Sequence, residues 1–203
     1  MSRRAAIVCM FFGIGAALPA WSYDCPYFAI DLPTGFSPYV KEQVVAGAPT
    51  YVFMSEPAAP WQLASMIQIS IYDYGDEFED DVANLLDDMS ETPNMTRAEL
   101  SALVLEHLAD RDLKQFLDSL AASRTDFIRH PSERVTVGGF AGRRATWEGE
   151  YGSVSEIGFI YAIVVGSRAF LIRAEGDADQ LEHRMLPAAR AIESMTIKQA
   201  AHP

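Results

Sequence analysis

The sequence predicts an α+β fold whose centre is an antiparallel β-sheet. Residues 135–175 contain short apolar or alternating runs separated by Gly-containing turns, the pattern of a β-meander. Within them, residues 157–165 are apolar on both faces, as expected of a central strand that is covered on both sides. Between residues 79 and 122, apolar side chains recur at three- and four-residue steps, which indicates amphipathic helices. We expect the rest of the chain to extend or cover this sheet.

The N-terminus has the layout of a secretory signal peptide. Arg3 and Arg4 precede an apolar run over residues 5–18 and a small-x-small site at Ala20 and Ser22. The run falls short of the ~20 apolar residues of a spanning helix, which argues against an uncleaved anchor. The paired arginines also raise the twin-arginine route. We therefore predict a cleaved signal peptide over residues 1–22, with cleavage after Ser22 preferred over Ala20, and a periplasmic or secreted protein of the bacterial envelope.

The composition limits the classes of partner. Residues 23–203 hold 28 acidic residues against 14 Lys and Arg, a net charge of −14. This acidity argues against nucleic acid and anionic membrane surfaces, which both select clustered basic residues. The length of residues 23–203 fits one domain, and we expect no membrane span after the signal peptide is cleaved. Cys25 is the only cysteine left, so no intramolecular disulfide can form, and a solitary thiol is favoured over pairing between chains.

The first half of that domain reads as strands followed by an acidic helical region. Strands are predicted over residues 27–32, 36–45, 50–54 and 65–74. Residues 73–112 then hold 13 acidic residues and two arginines, a net charge of −11. A helix is predicted over residues 79–89 and another over 96–122, either bent near Asp110 or divided in two. Thr96 and Glu99 form a capping box at its start. We call residues 75–123 the acidic helical region.

The second half returns to strands and ends in a helix. A strand over residues 125–130 precedes the meander, whose strands are predicted over 140–151, 157–165 and 169–174. Gly138 and Gly139 suit a turn that needs positive φ. Asp177, with Gln180 in the reciprocal position, is predicted to cap the last helix, and Pro187 to kink it or to begin a second segment. We expect residues 198–203 to be disordered.

Several short motifs occur in a fixed order along the chain. They are Leu32-Pro33-Thr34-Gly35-Phe36, residues 137–142 (VGGFAG), residues 170–175 (FLIRAE) and Ile192-Glu193-Ser194-Met195. This order resembles the PsbP-like α/β/α sandwich, shared by PsbP-type photosystem proteins and DcrB-like bacterial proteins, over residues 27–197. The resemblance implies an antiparallel sheet with helices on both faces. It also implies non-catalytic work as an accessory subunit, chaperone or adaptor, with no family-wide catalytic residues to carry over.

No recognised catalytic motif is present. The chain lacks a nucleophile elbow, a P-loop, a dinucleotide fingerprint, a HExxH motif and paired cysteines at metal spacing, so we predict no catalytic residue and no cofactor. Glu106, His107 and Asp110 form a partial metal set, but a solvated helix face is favoured because no second His is near. His130 and His183 read as surface or strand-end residues.

The densest group of acids could bind calcium through oxygen ligands. Its members lie where a strand leads into a helix: Asp73, Asp76, Glu77, Glu79, Asp80 and Asp81. Their order does not match an EF-hand loop, and acids at a helix N-terminus are already favoured by the helix dipole. A solvated acidic face, or a docking patch for a basic protein, is therefore the favoured interpretation.

Arginines follow the predicted meander at Arg134, Arg143, Arg144, Arg168 and Arg173. The adjacent pair, Arg143 and Arg144, must point to opposite faces of its strand. Cross-strand pairing of these arginines with Glu148, Glu150 and Glu156 is favoured. Convergence of two or more of them would instead form a site for a carboxylate or phosphate.

Together these observations favour an exported, non-enzymatic protein that binds another protein of unknown identity, with the acidic helical region as the contact surface. The first alternative is a calcium- or small-ligand-binding envelope module. The second is a hydrolase with an unrecognised site.

Overall fold

An eight-stranded antiparallel sheet lies at the centre of the computed structural model, which describes residues 21–57, 62–75, 77–88 and 95–198, without the side chains of Glu79 and Asp88. The order of its strands is β3-β4-β5-β10-β9-β8-β6, and β7 also pairs with β8. A second, three-stranded sheet has the order β1-β2-β11. The strands are β1 (Ser22–Asp24), β2 (Phe28–Asp31), β3 (Phe36–Val45), β4 (Ala48–Ser55), β5 (Met66–Asp73), β6 (Thr125–Arg129), β7 (Glu133–Val137), β8 (Phe140–Tyr151), β9 (Val154–Val165), β10 (Arg168–Asp177) and β11 (Thr196–Ile197).

Three α-helices complete the fold: α1 (Phe78–Asp88), α2 (Arg97–Ala121) and α3 (Leu186–Ser194). The predicted capping box is present at the start of α2, where Glu99 N–H donates to the Thr96 hydroxyl and the Glu99 carboxylate accepts from Thr96 N–H. α2 is a single helix, so the two-helix alternative is wrong. No helix in the described part of the chain is long and apolar enough to cross a membrane.

The central sheet is covered on both faces, as predicted. On one face α2 packs against β8 and β9, and its side chains Leu113 and Leu117 meet Trp147 and Ile160. On the other face α3 and the small sheet cover a larger core. β9 contributes alternate residues to both cores, which explains its continuous apolar sequence. This α+β arrangement confirms the predicted fold class.

Of three predictions about the chain ends, two need correction. Asp177 belongs to β10 and its side chain caps nothing; the chain instead forms a 3-10 turn over Ala178–Gln180 and a π-helical turn over Leu181–Met185. Pro187 begins the α-helical segment, as one predicted alternative required. Lys198 is ordered rather than disordered, because its ammonium group donates to Asp24 and to the Cys25 carbonyl.

Two predictions remain untested at these ends. Residues 1–20 and 199–203 lie outside the described residues, so the signal peptide and the rest of the tail stay predictions. The residues nearest the predicted cleavage site belong to the small sheet: the Trp21 carbonyl accepts from Leu32 N–H at 2.7 Å, and Ser22 pairs with Asp31. Cys25 is a free, half-buried thiol in the same corner.

Candidate functional site

The acidic residues of α2 are largely paired with cations. Glu106 accepts from Arg134 at 2.6 Å and from Arg143 at 3.0 Å, both donors coming from the sheet. Asp110 lies 2.7 Å from Lys114, and the hydrogen bond from Lys114 is the main cause that holds the pKa of this carboxyl below its usual range. The acidic face of α2 is therefore an inner surface that attaches the helix to β7 and β8.

Asp112 is occupied in the same way at a groove between α2 and the sheet. It accepts a hydrogen bond from the Tyr74 hydroxyl and two from Arg111, at 3.1 and 3.0 Å. Burial, followed by the hydrogen bond to Asp112, raises the pKa of Tyr74 well above its usual value. The Tyr74 ring also stacks on Phe78, with centroids 4.5 Å apart, which fixes the start of α1. The groove has a volume of about 500 Å³ and is also lined by Tyr72, Gln115, Phe116 and Leu171.

α1 differs because two of its three acids with described side chains form no ion pair with a described residue. Glu77, Asp80 and Asp81 are exposed and form no ion pair with any residue that the structure describes. Asp87 pairs with Arg97 at 3.1 Å, in a bridge whose two side chains are both exposed. Among these acids, Leu85 presents an apolar side chain that is 48% exposed. The acidic helical region thus contains a helix, α2, whose acids are mostly paired with cations of the same chain, and the start of α1, where Glu77, Asp80 and Asp81 have no ion pair with a described residue.

α1 is attached to the domain mainly through α2. Its buried contact is the small apolar cluster of Leu86 with Leu100 and Val104. Because α1 packs mainly on another helix, most of its described side chains are exposed to solvent. An outward-facing helix of this kind can present charge and apolar side chains to a partner without disturbing the core.

The calcium candidates are only partly described. Asp73 is turned to accept from Gly75 N–H at 3.0 Å, and Asp80 and Asp81 point into solvent from α1. Asp76 and the side chain of Glu79 lie outside the described residues. Among the residues that are described, no three His, Cys, Asp or Glu side chains come together as a group able to hold a metal ion.

The histidines are surface residues, whereas the two carboxylates of the partial metal set bind cations. Glu106 and Asp110 bind arginines, and His107 is exposed beside them. His130 forms a 3.0 Å contact with Glu148 at the end of β6. His183 is exposed on the π-helical turn before α3.

Four of the five arginines of the meander pair with carboxylates, but none of them with a predicted one. As predicted, Arg143 and Arg144 point to opposite faces of β8: Arg143 binds Glu106 of α2, and Arg144 binds Glu133 of β7 and Glu193 of α3. Cross-strand pairing does occur, between Arg144 and its register partner Glu133, but the predicted partners Glu148, Glu150 and Glu156 are wrong for these arginines.

The remaining two arginines of the set also have other contacts. Arg173 donates to Gln68 at 2.9 Å and lies 3.5 Å from Glu175. Arg168 lies over the Tyr27 ring, 5.2 Å from its centroid.

A buried ion cluster, which the sequence reading missed, lies beneath the C-terminus of α2. Arg124 donates to Glu156 at 2.9 Å and to Glu175 at 3.0 Å, and its guanidinium lies 4.5 Å from the Trp147 ring centroid. The Arg124 and Glu156 side chains are each 7% exposed. Burial raises the pKa of Glu175 despite the nearby Arg173 and Arg124. A charged Glu156 at the edge of an apolar strand was the available signal, since a buried carboxylate requires a cation.

Comparison with known proteins places the fold. No protein-family model and no curated protein sequence matches the chain. Among solved structures, LpqN, involved in cell envelope biogenesis of Mycobacterium tuberculosis, aligns with a TM-score of 0.53 at 14% identity, covering 91% of this chain and 88% of LpqN.

Two further solved structures align over the same share of this chain. The cyanobacterial PsbP (CyanoP) of Synechocystis aligns with a TM-score of 0.52 at 10% identity, covering 91% of this chain and 96% of CyanoP. A protein of Bacteroides thetaiotaomicron aligns with a TM-score of 0.51 at 9% identity, over 91% of this chain and 51% of that protein. At such identities the likeness concerns the fold alone, and this chain therefore has the PsbP-like fold that the order of its motifs predicted.

Proposed function

We propose that the protein is an exported, non-catalytic accessory or adaptor protein of the bacterial envelope, and that it binds a basic protein partner through α1. The observation that carries the proposal is the contrast between the two acidic helices. Four carboxylates of α2 are held by cations of the same chain, whereas Glu77, just before α1, and Asp80 and Asp81 within it have no such partner among the described residues.

The chemistry of α1 favours a protein partner with exposed Lys and Arg. Clustered carboxylates steer a basic surface toward the helix and specify its orientation, while an apolar contact contributes most of the affinity. Leu85, 48% exposed among those carboxylates, offers that contact. The predicted signal peptide and the likeness to LpqN, a protein involved in cell envelope biogenesis, support the envelope location.

Neutralising α1 tests the proposal. We expect the double variant Asp80→Asn with Asp81→Asn to weaken partner binding by about tenfold, because each charge removed lowers steering and complementarity. The immobilised protein is incubated with envelope extract of the producing bacterium at about 50 mM and 500 mM NaCl, and retained proteins are quantified by mass spectrometry. High salt should release the same partner.

A matched control removes two acids elsewhere. Asp179→Asn with Glu182→Gln neutralises two exposed carboxylates near the π-helical turn, on the opposite face of the sheet from α1. A partner that is retained by this control and lost by the α1 variant supports the proposal. If both variants and the high-salt wash retain every partner equally, α1 is not the contact surface.

Calcium binding by the same acids is the alternative, and it can be tested separately. Because Asp73 is used by a backbone N–H and Asp80 and Asp81 are exposed, we expect millimolar calcium to leave the melting temperature unchanged within about 1 °C. Thermal melts with calcium, magnesium and EDTA make the measurement. A rise specific to calcium, abolished by Asp80→Asn with Asp81→Asn, would establish the calcium-binding alternative.

A further inference from the structure

Two arginines near α3 lack the carboxylate partner that most arginines of this chain have. Of the eleven arginines that the structure describes, eight form ion pairs with carboxylates. Of the other three, Arg168 lies over a tyrosine ring, whereas Arg184 and Arg190 have neither an ion pair nor a ring contact with a described residue. In a chain with 28 acidic residues against 16 Lys and Arg, two arginines without a carboxylate partner among the described residues call for an explanation.

Arg184 is held against a turn that is shaped to receive it. Residues 33–36 form a β-turn in which Phe36 N–H donates to the Pro33 carbonyl at 3.0 Å, and Gly35 has a φ of +88°. A Cβ at Gly35 would lie 2.6 Å from Nη1 of Arg184, so the guanidinium packs closely against this glycine. This Nη1 is buried and has no hydrogen-bond acceptor among the described residues. A buried donor without an acceptor costs free energy.

Two cavities adjoin this turn. The first, of about 440 Å³, is lined by Arg184 together with Thr34, Ser37 and Glu56. The second, of about 410 Å³, is lined by Arg190 and His183 and shares Thr34 with the first. The two arginines therefore face neighbouring spaces on either side of a single threonine, and Arg184 comes from a π-helical turn, a rare geometry that is frequent at functional sites.

We propose that these two cavities form a binding site for an anionic oxygen group, a phosphate or a carboxylate, anchored by Arg184. A guanidinium binds such groups through paired N–H donors, and the hydroxyls of Thr34 and Ser37 can donate to the same oxygens. Arg190 adds positive potential from the second cavity. The site lies on the α3 face of the sheet, away from α1, so it does not depend on the proposed function.

Glu56 gives the proposal a sharp test, because it opposes the ligand. Its exposed carboxylate lines the first cavity without forming an ion pair with Arg184. Neutralising Glu56 should therefore strengthen anion binding, whereas neutralising Arg184 should weaken it. Asp31 lines the second cavity, so neutralising Asp31 should also strengthen anion binding.

The experiment titrates the complete 15N-labelled chain with inorganic phosphate and, separately, with sodium acetate at constant ionic strength. The amide resonances of Gly35 and Ser37 report occupancy. We expect Arg184→Gln to weaken binding by about tenfold and Glu56→Gln to tighten it by about threefold. Tighter binding of phosphate than of acetate identifies a phosphoryl ligand, and the reverse order identifies a carboxylate.

Arg168→Gln is the matched control, since Arg168 is the third arginine without an ion pair but lies over Tyr27 outside both cavities. It should leave the titration unchanged. Arg184→Lys keeps the positive charge but lacks the paired N–H donors of the guanidinium. It provides a second variant of this position in case Arg184→Gln fails to fold. The proposal is overturned if neither anion shifts the Gly35 and Ser37 amides, if Arg168→Gln weakens binding as much as Arg184→Gln, or if Glu56→Gln has no effect.

Discussion

Replacing Arg124 by methionine should lower the free energy of unfolding by about 3–5 kcal/mol, because it leaves buried carboxylates without their cation. Arg124 bridges Glu156 at 2.9 Å and Glu175 at 3.0 Å, with side-chain exposures of 7%, 7% and 12% for the three residues. Glu175 keeps Arg173 at 3.5 Å, but Glu156 has no other ion pair with a described residue. Urea unfolding followed by circular dichroism measures the loss.

The same variant should show a distinctive pH dependence. Burial already raises the pKa of Glu175 above its usual 4.5, and Arg124 opposes that rise. Without Arg124 the pKa rises further in the folded protein, so folding becomes less favourable as the pH rises from 4.5 through that raised pKa. The deficit of the variant relative to the original protein should therefore shrink as the pH falls from 7 toward 5.

Arg129→Met is the control for this cluster. Arg129 pairs with Asp118 at 2.7 Å, but both side chains are about half exposed or more, at 48% and 65%. Such a surface pair contributes at most about 1 kcal/mol. An Arg124→Met deficit that equals the Arg129→Met deficit, or that is constant between pH 5 and 7, would show that the buried cluster is not a stabilising unit.

Trp147→Ala should cost a similar amount, about 3–5 kcal/mol, through the cavity that it leaves. The ring is completely buried, stacks on Phe127 with centroids 5.6 Å apart, and lies under the guanidinium of Arg124. Its other side covers Gly158, where a Cβ would come within 2.4 Å of the ring. Thermal and urea unfolding give the change in stability.

The control for Trp147 is an aromatic residue at the edge of the sheet. Tyr39 on β3 is 71% exposed, so Tyr39→Ala should change the stability by less than about 0.5 kcal/mol. Gly158→Ala supplies an independent variant, since it overfills the same site and should cost about 1–3 kcal/mol. Loss of stability in Tyr39→Ala equal to that in Trp147→Ala would contradict the assigned role of the buried ring.

The elements that sequence reasoning placed correctly are those with a strong local pattern. The alternating isoleucines of β5, the doubly apolar β9 and the Thr96–Glu99 capping box each reflect contacts within one element or one sheet face. β1 and β11 were missed because three- and two-residue strands have no periodicity, and both depend on pairing with β2, which is distant in the sequence from β11. Asp177 was misassigned because the pairing of β10 with β9 continues through it.

The charge of the acidic helical region was predictable from the sequence, but the ion pairs of its carboxylates were not. The sequence shows that Glu106 and Asp110 belong to an acidic region, yet their cation Arg143 lies more than thirty residues further along the chain. Only the docking of α2 on β8 reveals that these acids are neutralised, whereas Asp80 and Asp81 of α1 have no ion pair with a described residue. Arg184 and the turn at Gly35 were likewise unpredictable as a pair, because their proximity depends on how β3 and α3 approach each other.

The divergent arginines of β8 have a consequence for how the domain opens. Arg143 is bound to α2 and Arg144 to Glu193 of α3, and the two residues are consecutive on one strand. If either helix detaches, the arginine that held it loses its carboxylate partner. That arginine is the immediate neighbour in β8 of the arginine that holds the other helix. The two layers should therefore share one cooperative unit of opening, in which local fluctuations that release one helix also weaken the hold on the other.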